Sequence, residues 1–483
     1  MNKKVRVRFA PAPTGTMHLG NIRTALINFI FAHQKNGTFI LRIEDTDPER
    51  NFDPGGAAII EDLKWLDLMY DEGPGIGGPY APYLQSERTV LYEEKLKSLQ
   101  QKNLVYRCFC TQEELEKKRQ RQRALKLPPR YDRTCLALTK EEIDHLLTQK
   151  KLFIWRFKLD HHQAIEITDL AHGIIRFELN NFSDFPLTRQ NGSFTYLFAN
   201  FVDDMTMHIT HVFRGEDHLS NTAVQAALFY AFNIPLPIYW HMPILCNTDG
   251  KKLSKRDFGF SLQDLKEAGF TSDAINNYLA IIGGSFEKEI MSLATMIKTF
   301  NFDHLHTTGH ITYDVEKLKW VNRKWIAQYK PEELLQQCRP LLDAVYPLAQ
   351  KINDQKLSDL LQIIKTDMTT LNDCIILLAF YFTKPSLSSG DITACISKEN
   401  IAPIAHIIKD NFSFLSDGTT FANKLKQTAK KENVPLKELF WFVRLALMGT
   451  TKGPGIHELV SMLGTQEATQ RIKHALIILD EEI

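Results

Sequence analysis

The chain lacks the features that would set it apart from an ordinary folded protein. No apolar run nears the ~18 residues that cross a bilayer as a helix. The longest, Cys374 to Phe382, reads as a helix of the core. Cysteine is scarce and odd in number, seven in 483 residues, which argues against a disulfide-stapled scaffold and suits a reducing compartment. No sign of charge dominates: 58 basic and 57 acidic side chains leave a net +1. A polyanionic partner must therefore be met by local basic surface and not by bulk charge. Internal repeats and low-complexity tracts are missing, and 44% hydrophobic residues exclude a largely disordered chain. Met1-Asn2-Lys3-Lys4-Val5 runs into a strand pattern without an apolar leader, so a cytoplasmic protein with no membrane partner is expected. At roughly 150 residues per domain, the length suggests about three domains.

What is present starts with a strand. Val5, Val7 and Phe9 alternate with Arg6 and Arg8, the period of two that marks a strand. Ala10-Pro11-Ala12-Pro13-Thr14-Gly15 follows and cannot be helix interior, because proline removes donors and fixes φ. Ile22, Ala25, Leu26 and Phe29 then recur at helical spacing, and Asn36-Gly37 closes that helix. Phe39 to Ile43 is nearly all apolar, as in a strand buried on both faces. Strand, loop, helix and strand make a βαβ unit, the opening of a doubly wound sheet. From about Tyr92 to Tyr196 the texture changes, with a charged helical stretch at Glu113 to Lys126 and a strand-like Phe153 to Phe157. The α/β texture returns at Met207 to Phe213 and at Ile238 to Leu245; beyond Lys255 the chain reads as helices.

Two loops can carry chemistry. Pro13 to Asn21 is a glycine-bearing loop between a strand and a helix N-terminus, where free N–H groups and the helix dipole favour phosphate. His18 there can donate to a phosphate oxygen, and Gly20 lets a flat base approach the backbone. The second loop, Asp249 to Asp257, gathers Lys251, Lys252, Lys255 and Arg256 after a strand, a cationic loop able to close over a triphosphate. Taken singly, each loop reads as well as a capping turn or a solvated basic turn.

Together they resemble a known family. His18-Leu19-Gly20-Asn21 is similar to the HIGH signature, and Lys252-Leu253-Ser254-Lys255-Arg256 to the KMSKS signature, of class I aminoacyl-tRNA synthetases. Arg8 to Gly15, followed by Leu41-Arg42-Ile43-Glu44-Asp45-Thr46-Asp47, narrows the resemblance to the glutamyl/glutaminyl branch. The bacterial glutamyl-tRNA synthetase pattern continues through Lys64-Trp65-Leu66, Tyr70 to Pro74, Pro82 to Arg88, Phe213 to Asn221, Lys317 to Asn322 and Arg444 to Thr450. The resemblance spans essentially the whole chain.

It implies an α/β fold: a class I synthetase, Rossmann-type doubly wound parallel sheet with an inserted α+β domain, followed by an all-α C-terminal anticodon-binding region. The expected divisions are 1–90 and 194–250 for the two catalytic halves, with 91–193 as the inserted acceptor-binding domain. The KMSKS loop and stem-contact region takes 251–330, and the helical anticodon-binding region 331–483. The implied activity is glutamate–tRNA ligation with ATP and Mg2+, on tRNA(Glu), by a monomer. His18, Gly20, Asn21, Lys252, Ser254, Lys255 and Arg256 are the expected ATP and catalytic residues. Arg8, Ala10, Glu44, Tyr196, Asn200 and Arg214 are expected around glutamate, the arginines for its carboxylates and Glu44 for its ammonium. Which arginine takes which carboxylate stays open.

Departures from the pattern matter. Ala12 stands where the family usually has a serine near the amino acid. Cys108, Cys110 and Cys135 match three ligands of a zinc site found in some members, but Ala137 replaces the fourth, a histidine; Tyr131 is the candidate substitute. Zinc on this set and three reduced thiols stand as alternatives. Lys117, Lys118, Arg119, Arg121, Arg123 and Lys126 can follow an acceptor-stem backbone or form a solvated face. Lys424, Lys426, Lys430 and Lys431 are similarly ambiguous. Asp367 takes the place of an arginine that reads the third anticodon base in strict members, so relaxed use of tRNA(Gln) is expected. The competing readings are a glutaminyl-type synthetase, disfavoured by the helical C-terminal region, and a catalytically silent tRNA-binding paralogue, disfavoured by both intact signatures.

Overall fold

Strand β1 (Arg6–Phe9) pairs in parallel with β2 (Thr38–Leu41), Val7 lying opposite Phe39. Helix α1 (Leu19–Gln34) makes the crossover and buries most of its surface, from Leu19 to Ala32. It ends where Asn36 turns left-handed at φ 49°. Gly37 follows because a Cβ there would sit 2.7 Å from the Val5 carbonyl oxygen, so only glycine lets the turn dock on the entry to β1. The computed structural model describes residues 4–47, 49, 51–254, 256–305 and 309–480.

Helices α2 (Ala57–Trp65) and α3 (Thr89–Gln101) lead to β3 (Val105–Cys108), which pairs antiparallel with β4 (Ile154–Phe157). Between them lie α4 (Gln112–Ala124) and α5 (Lys140–Thr148), each opened by a threonine capping box. Strands β5 (Ala164–Asp169) and β6 (Gly173–Glu178) form an antiparallel pair. Helix α6 (Tyr196–Thr206), β7 (His211–Gly215), α7 (Leu219–Ala231) and β8 (Ile238–Met242) follow. The strand order β6-β5-β8-β7 is mixed: β5, β8 and β7 run parallel, and β6 closes the edge antiparallel. A short β9 (Leu245–Cys246) pairs with β10 (Ile311–Thr312).

Three features differ from the sequence pattern. Strand texture at Met207–Phe213 becomes strand only from His211, since Met207 caps α6 and His208 turns left-handed at φ 54°. Strands β5 and β6 fall in the stretch 91–193, yet β5 bonds to β8 and so builds the main sheet. The apolar run at 374–382 breaks into two short helices, with Cys374, Leu378 and Phe380 buried and Ile376 on the surface.

The chain divides into two compact units, one of residues up to Leu265 with Ile275–Val315, the other of Lys266–Ala274 with residues from Glu316 on. The second is helical, its core built from Leu334, Leu361, Phe421, Phe442, Leu459 and Leu479 among others. Within it, the buried Asn322 side chain accepts from the Thr271 N–H (2.9 Å) and donates to the Thr369 carbonyl (2.7 Å), tying three segments together. No described helix is long and apolar enough to cross a membrane.

In the first unit Phe201 is wholly buried against Phe229 and Phe232. Phe201→Ala is predicted to cost about 3–5 kcal/mol. Urea unfolding followed by tryptophan fluorescence should show a lower midpoint; an unchanged midpoint would contradict this packing.

Candidate active site

The ends of β1, β2 and β7, with the start of α6, enclose a cavity of about 510 Å³. Its wall contains all six residues expected around glutamate: Arg8, Ala10, Glu44, Tyr196, Asn200 and Arg214. A second cavity of about 190 Å³ is lined by His18, Gly20, Asn21 and Lys252, with Arg23, Asp217 and the backbone run Met242–Leu245. The two share Asn21, Thr24, Gly215 and His218, so a ligand atom in one lies beside the contents of the other. This is where open α/β sheets bind ligands, outside the carboxyl ends of their strands.

Beneath the larger cavity lies a buried ionic network. Arg42, fully buried, donates to Asp204 (2.7 Å) and Glu44 (3.0 Å) and lies 3.6 Å from Asp203. Arg8 meets Asp204 through Nε (3.1 Å), and Arg88 meets Asp203 (2.6 Å). Burial pushes the Asp204 carboxyl up, but Arg8 and Arg42 outweigh it and hold it below the usual carboxylate range. For Glu44 burial wins over Arg42, and its pKa lies above the usual value. The Arg42 and Asn200 bonds to Glu44 both end on Oε1; Oε2 has no donor among the described residues.

Asn200 is committed on both sides, donating to Glu44 (2.5 Å) and accepting from Gln225 (3.1 Å), so it orients Glu44. The Tyr196 hydroxyl donates to His218 Nδ1 (3.2 Å), and burial raises its pKa to about 12, keeping the phenol neutral. Arg214 donates through Nη2 to Thr222 (2.7 Å) and makes no ion pair among the described residues. Its Nε and Nη1 are buried without acceptors. Arg8 is therefore neutralised by the protein, whereas Arg214 is not.

The HIGH-like histidine has a defined proton. His18 caps α1, its Nδ1 accepting from the Asn21 N–H (3.2 Å) while Asn21 Oδ1 accepts from the His18 N–H (3.4 Å). Burial, with Lys252 adding to it, lowers the His18 pKa, so the ring is neutral with its hydrogen on Nε2, a donor available to a phosphate. Gly20 is needed because a Cβ there would stand 3.1 Å from the His18 ring. His218 was not singled out by sequence reasoning. It accepts at Nδ1 from Tyr196 and Asn221, and burial, with Arg214 and against Asp217, lowers its pKa to about 4. The signal was its place four residues beyond Arg214, in the turn leaving β7. Asp204 was also missed, although Tyr196, Asn200 and Asp204 recur at i, i+4 and i+8 on one helix face.

The KMSKS-like loop is pinned locally. Ser254 donates to Asp257 through its N–H (2.8 Å) and hydroxyl (2.9 Å), and Asn247 Nδ2 donates to Asp257 (3.1 Å). Lys252 forms an exposed ion pair with Asp217 (3.0 Å), weak enough to exchange for phosphate. Lys252 reaches the second cavity; Ser254 and Arg256 line neither cavity, and Lys255 lies outside the described residues.

Cys108, Cys110 and Cys135 converge, their sulfurs all within 4.8 Å of one another. The Tyr131 hydroxyl donates to Cys108 Sγ (3.3 Å) and accepts from the Cys135 N–H (3.1 Å). Hydrogen bonding from Cys135, joined by Tyr131 and Arg156, lowers the Cys108 pKa to about 4 despite burial. Burial raises the Cys110 pKa, and the bond to Cys108 raises that of Cys135; three converging sulfurs with a fourth oxygen in reach have the donor set of a tetrahedral zinc site. The basic side chains of α4 are partly spent on acids: Lys117 on Glu113, Lys118 on Asp132, and Arg119 and Arg123 on Glu116.

Fold and cavities together define a class I tRNA synthetase catalytic domain, and comparison with known proteins agrees. A family model described as tRNA synthetases class I (E and Q), catalytic domain, matches residues 4–320, and one described as anticodon binding domain matches residues 333–476. The glutamate–tRNA ligase of Bacillus velezensis is 33% identical over 482 residues, covering 98% of this chain and 100% of that one. Glutamate–tRNA ligase 1 of Pseudothermotoga lettingae is 38% identical over 477 residues, again covering 98% and 100%. A crystal structure of a glutamate tRNA ligase from Elizabethkingia meningosepticum, in complex with its amino acid, has a TM-score of 0.86 at 31% identity, covering 99% of this chain and 100% of that one. The chain belongs to the glutamate–tRNA ligase family of class I tRNA synthetases.

Glu44 can hold an ammonium only while ionised, and its pKa is raised above the usual ~4.3. The KM for L-glutamate is therefore predicted to climb as pH falls through that raised value, before ordinary carboxylates titrate. Glu44→Gln should raise this KM at every pH and flatten the dependence. A parent KM constant down to about pH 4.5 would contradict the assignment.

Proposed function

We propose that this chain is a cytoplasmic, monomeric glutamate–tRNA ligase that activates L-glutamate with ATP, taken as its Mg2+ complex, and passes it to the 3′-terminal adenosine of tRNA(Glu). The observation that carries the reading is the pair of adjoining cavities: one is lined by three arginines, Arg8, Arg189 and Arg214, and two acids, Glu44 and Asp47, suited to an amino acid with two carboxylates, and the other holds a histidine donor at a helix N-terminus for phosphate. In the first step a glutamate carboxylate oxygen attacks the α-phosphate and pyrophosphate leaves. In the second, a terminal ribose hydroxyl attacks the activated carbonyl and AMP leaves. The protein supplies position and charge for both steps. In this reading Glu44 takes the ammonium, Arg8 and Arg214 the carboxylates, and Tyr196 and Ala10 shape the pocket. His18 Nε2–H donates to phosphate, Gly20 and Asn21 support it, and Lys252, Ser254, Lys255 and Arg256 form the loop over the leaving pyrophosphate.

The reading assigns 1–90 and 194–250 to catalysis together with strands β5 and β6 of 91–193, the rest of 91–193 to the tRNA acceptor end, 251–330 to the stem and 331–483 to the anticodon. A glutaminyl-type enzyme would need to bind an amide with a pocket that holds an unneutralised Arg214. A silent paralogue would have no use for the His18 donor geometry. ATP–pyrophosphate exchange with L-glutamate and tRNA present tests the activity. His18→Ala is predicted to lower exchange by about a hundredfold or more with tRNA binding preserved; equal exchange would remove the phosphate role.

Zinc, held by Cys108, Cys110, Cys135 and Tyr131, would cross-link β3 to the turn at Cys135. The Tyr131 hydroxyl must shed its proton to serve as a ligand, against a burial that raises its pKa. Elemental analysis is predicted to find about one zinc per chain, the one-metal, four-ligand stoichiometry of such a site, and Cys108→Ser should release it. Metal-free protein purified without chelators would favour the three reduced thiols.

The reading extends to tRNA(Gln). Asp367 is exposed and offers no donor for the third anticodon base, so discrimination worth about 1–3 kcal/mol per bidentate pair is missing. Charging assays are predicted to show both tRNAs accepted within a hundredfold of each other; a stronger preference for tRNA(Glu) would overturn this. Arg323, which donates to Thr369 Oγ1 (2.8 Å) beside that segment, is the side chain to examine in that event.

A further inference from the structure

Arg214, which like Arg189 lines the larger cavity without an ion pair among the described residues, is held from behind by a chain of hydrogen bonds. Arg214 on β7 lies directly opposite His241 on β8, and Asp169 at the end of β5 lies opposite Tyr239 on the same β8. Thr222, on the first turn of α7, stands between the arginine and the histidine. Arg214 Nη2 donates to Thr222 Oγ1 (2.7 Å), Thr222 and His241 Nε2 are 2.7 Å apart, and His241 Nδ1 is 2.6 Å from Asp169 Oδ2. Thr222 and His241 are 0% exposed and Asp169 is 2% exposed.

The direction of each bond follows. Asp169 is ionised, because burial is outweighed by hydrogen bonds from His241, His172 and the Ala171 N–H, which hold its pKa low. It can only accept, so His241 Nδ1 carries the hydrogen. Burial lowers the His241 pKa despite the bond to Asp169, so the ring is neutral and Nε2 accepts from the Thr222 hydroxyl. The Thr222 hydroxyl also lies 3.2 Å from the His218 carbonyl oxygen, but its 2.7 Å bond to His241 Nε2 is the shorter, and its oxygen is left to accept from Arg214. Every link has one satisfied direction, and the carboxylate acts on the guanidinium through two neutral groups.

We propose that Asp169, His241 and Thr222 form a positioning relay that sets Arg214 for a carboxylate of the amino-acid substrate. A carboxylate in direct contact with Arg214 would neutralise it, as Asp204 does Arg8. The relay fixes one guanidinium nitrogen and leaves Nε and Nη1 without acceptors, so the charge is kept for the ligand. None of the three residues is itself catalytic. The proposal rests on the reading of this cavity as the glutamate site.

The test is ATP–pyrophosphate exchange with tRNA present, with KM measured separately for L-glutamate and ATP. Thr222→Val, which keeps shape and removes the hydroxyl's bonds to Arg214, His241 and the His218 carbonyl, is expected to raise the glutamate KM about tenfold or more while the ATP KM stays within about twofold. Thr222→Ser should restore the parent value. His241→Asn keeps the donor toward Asp169 but loses the acceptor and should resemble Thr222→Val, whereas His241→Gln keeps an acceptor toward Thr222 and should recover. In an Arg214→Ala background, Thr222→Val should add no further loss, since it acts only through Arg214. An unmoved glutamate KM, a parallel rise in both KM values, or full additivity with Arg214→Ala would overturn the relay. Should Thr222→Val fail to fold, the two His241 variants decide alone, and equal glutamate KM in both overturns it. An inactive parent would instead overturn the activity itself.

Discussion

The buried Arg42 guanidinium is the constraint on which the site depends. It leaves the end of β2 and meets Asp203 and Asp204 of α6 and Glu44 of its own segment, all of them buried. A charge buried this deeply is tolerated only when paired, and removing one partner of such a set typically costs about 3–5 kcal/mol. The pairing therefore fixes where α6 sits against β1 and β2. That placement puts Tyr196 and Asn200 on the cavity wall beside Glu44 and ties Glu44 through Oε1. Recognition of the ligand is built on charges the protein first balances among themselves.

Once those are balanced, what remains uncompensated tells the ligand's chemistry. Arg8 is spent on Asp204, Asn200 on Glu44 and Gln225, and Lys252 loosely on Asp217. Arg214 and Arg189 are left without an acid among the described residues, and one oxygen of Glu44 without a donor, cations and an anion for the opposite charges of one amino acid. On the adjoining side the donors are neutral imidazoles, His18 and His218, both kept uncharged by burial. Neutral donors stabilise developing charge on phosphate without holding the product by full charge. The shared wall of Asn21, Thr24, Gly215 and His218 is where a carboxylate oxygen and an α-phosphate would meet.

Much of this was legible in the sequence, and the reasons differ by feature. The βαβ opening was readable because alternation, proline loop and helical spacing are local signals. All six residues expected around glutamate were reached through their motifs and do line one cavity. Their division of labour was not readable: that Asn200 orients Glu44, and that Arg8 is already neutralised, depends on Asp204, four residues further along a helix. The strand pair β5 and β6 was assigned to the insertion because register with β8 is a long-range fact. Asp169, Thr222 and His241 carry no motif; only the pairing of three parallel strands, with α7 following β7, brings them into line. In the second unit the apolar run at 374–382 looked like one helix, and its exposed Ile376 shows why composition alone could not place the break.

The central claim is that one chain holds an acidic amino acid and an adenylate in two cavities that share a wall. Calorimetric binding of a non-hydrolysable glutamyl-adenylate analogue, which fills both cavities at once, tests it most directly against the glutaminyl counterpart. The account predicts one site per chain and a preference of about a hundredfold for the glutamyl compound, the size of one charge-assisted interaction lost. Equal affinity for the two analogues, or no saturable binding of either, would contradict it.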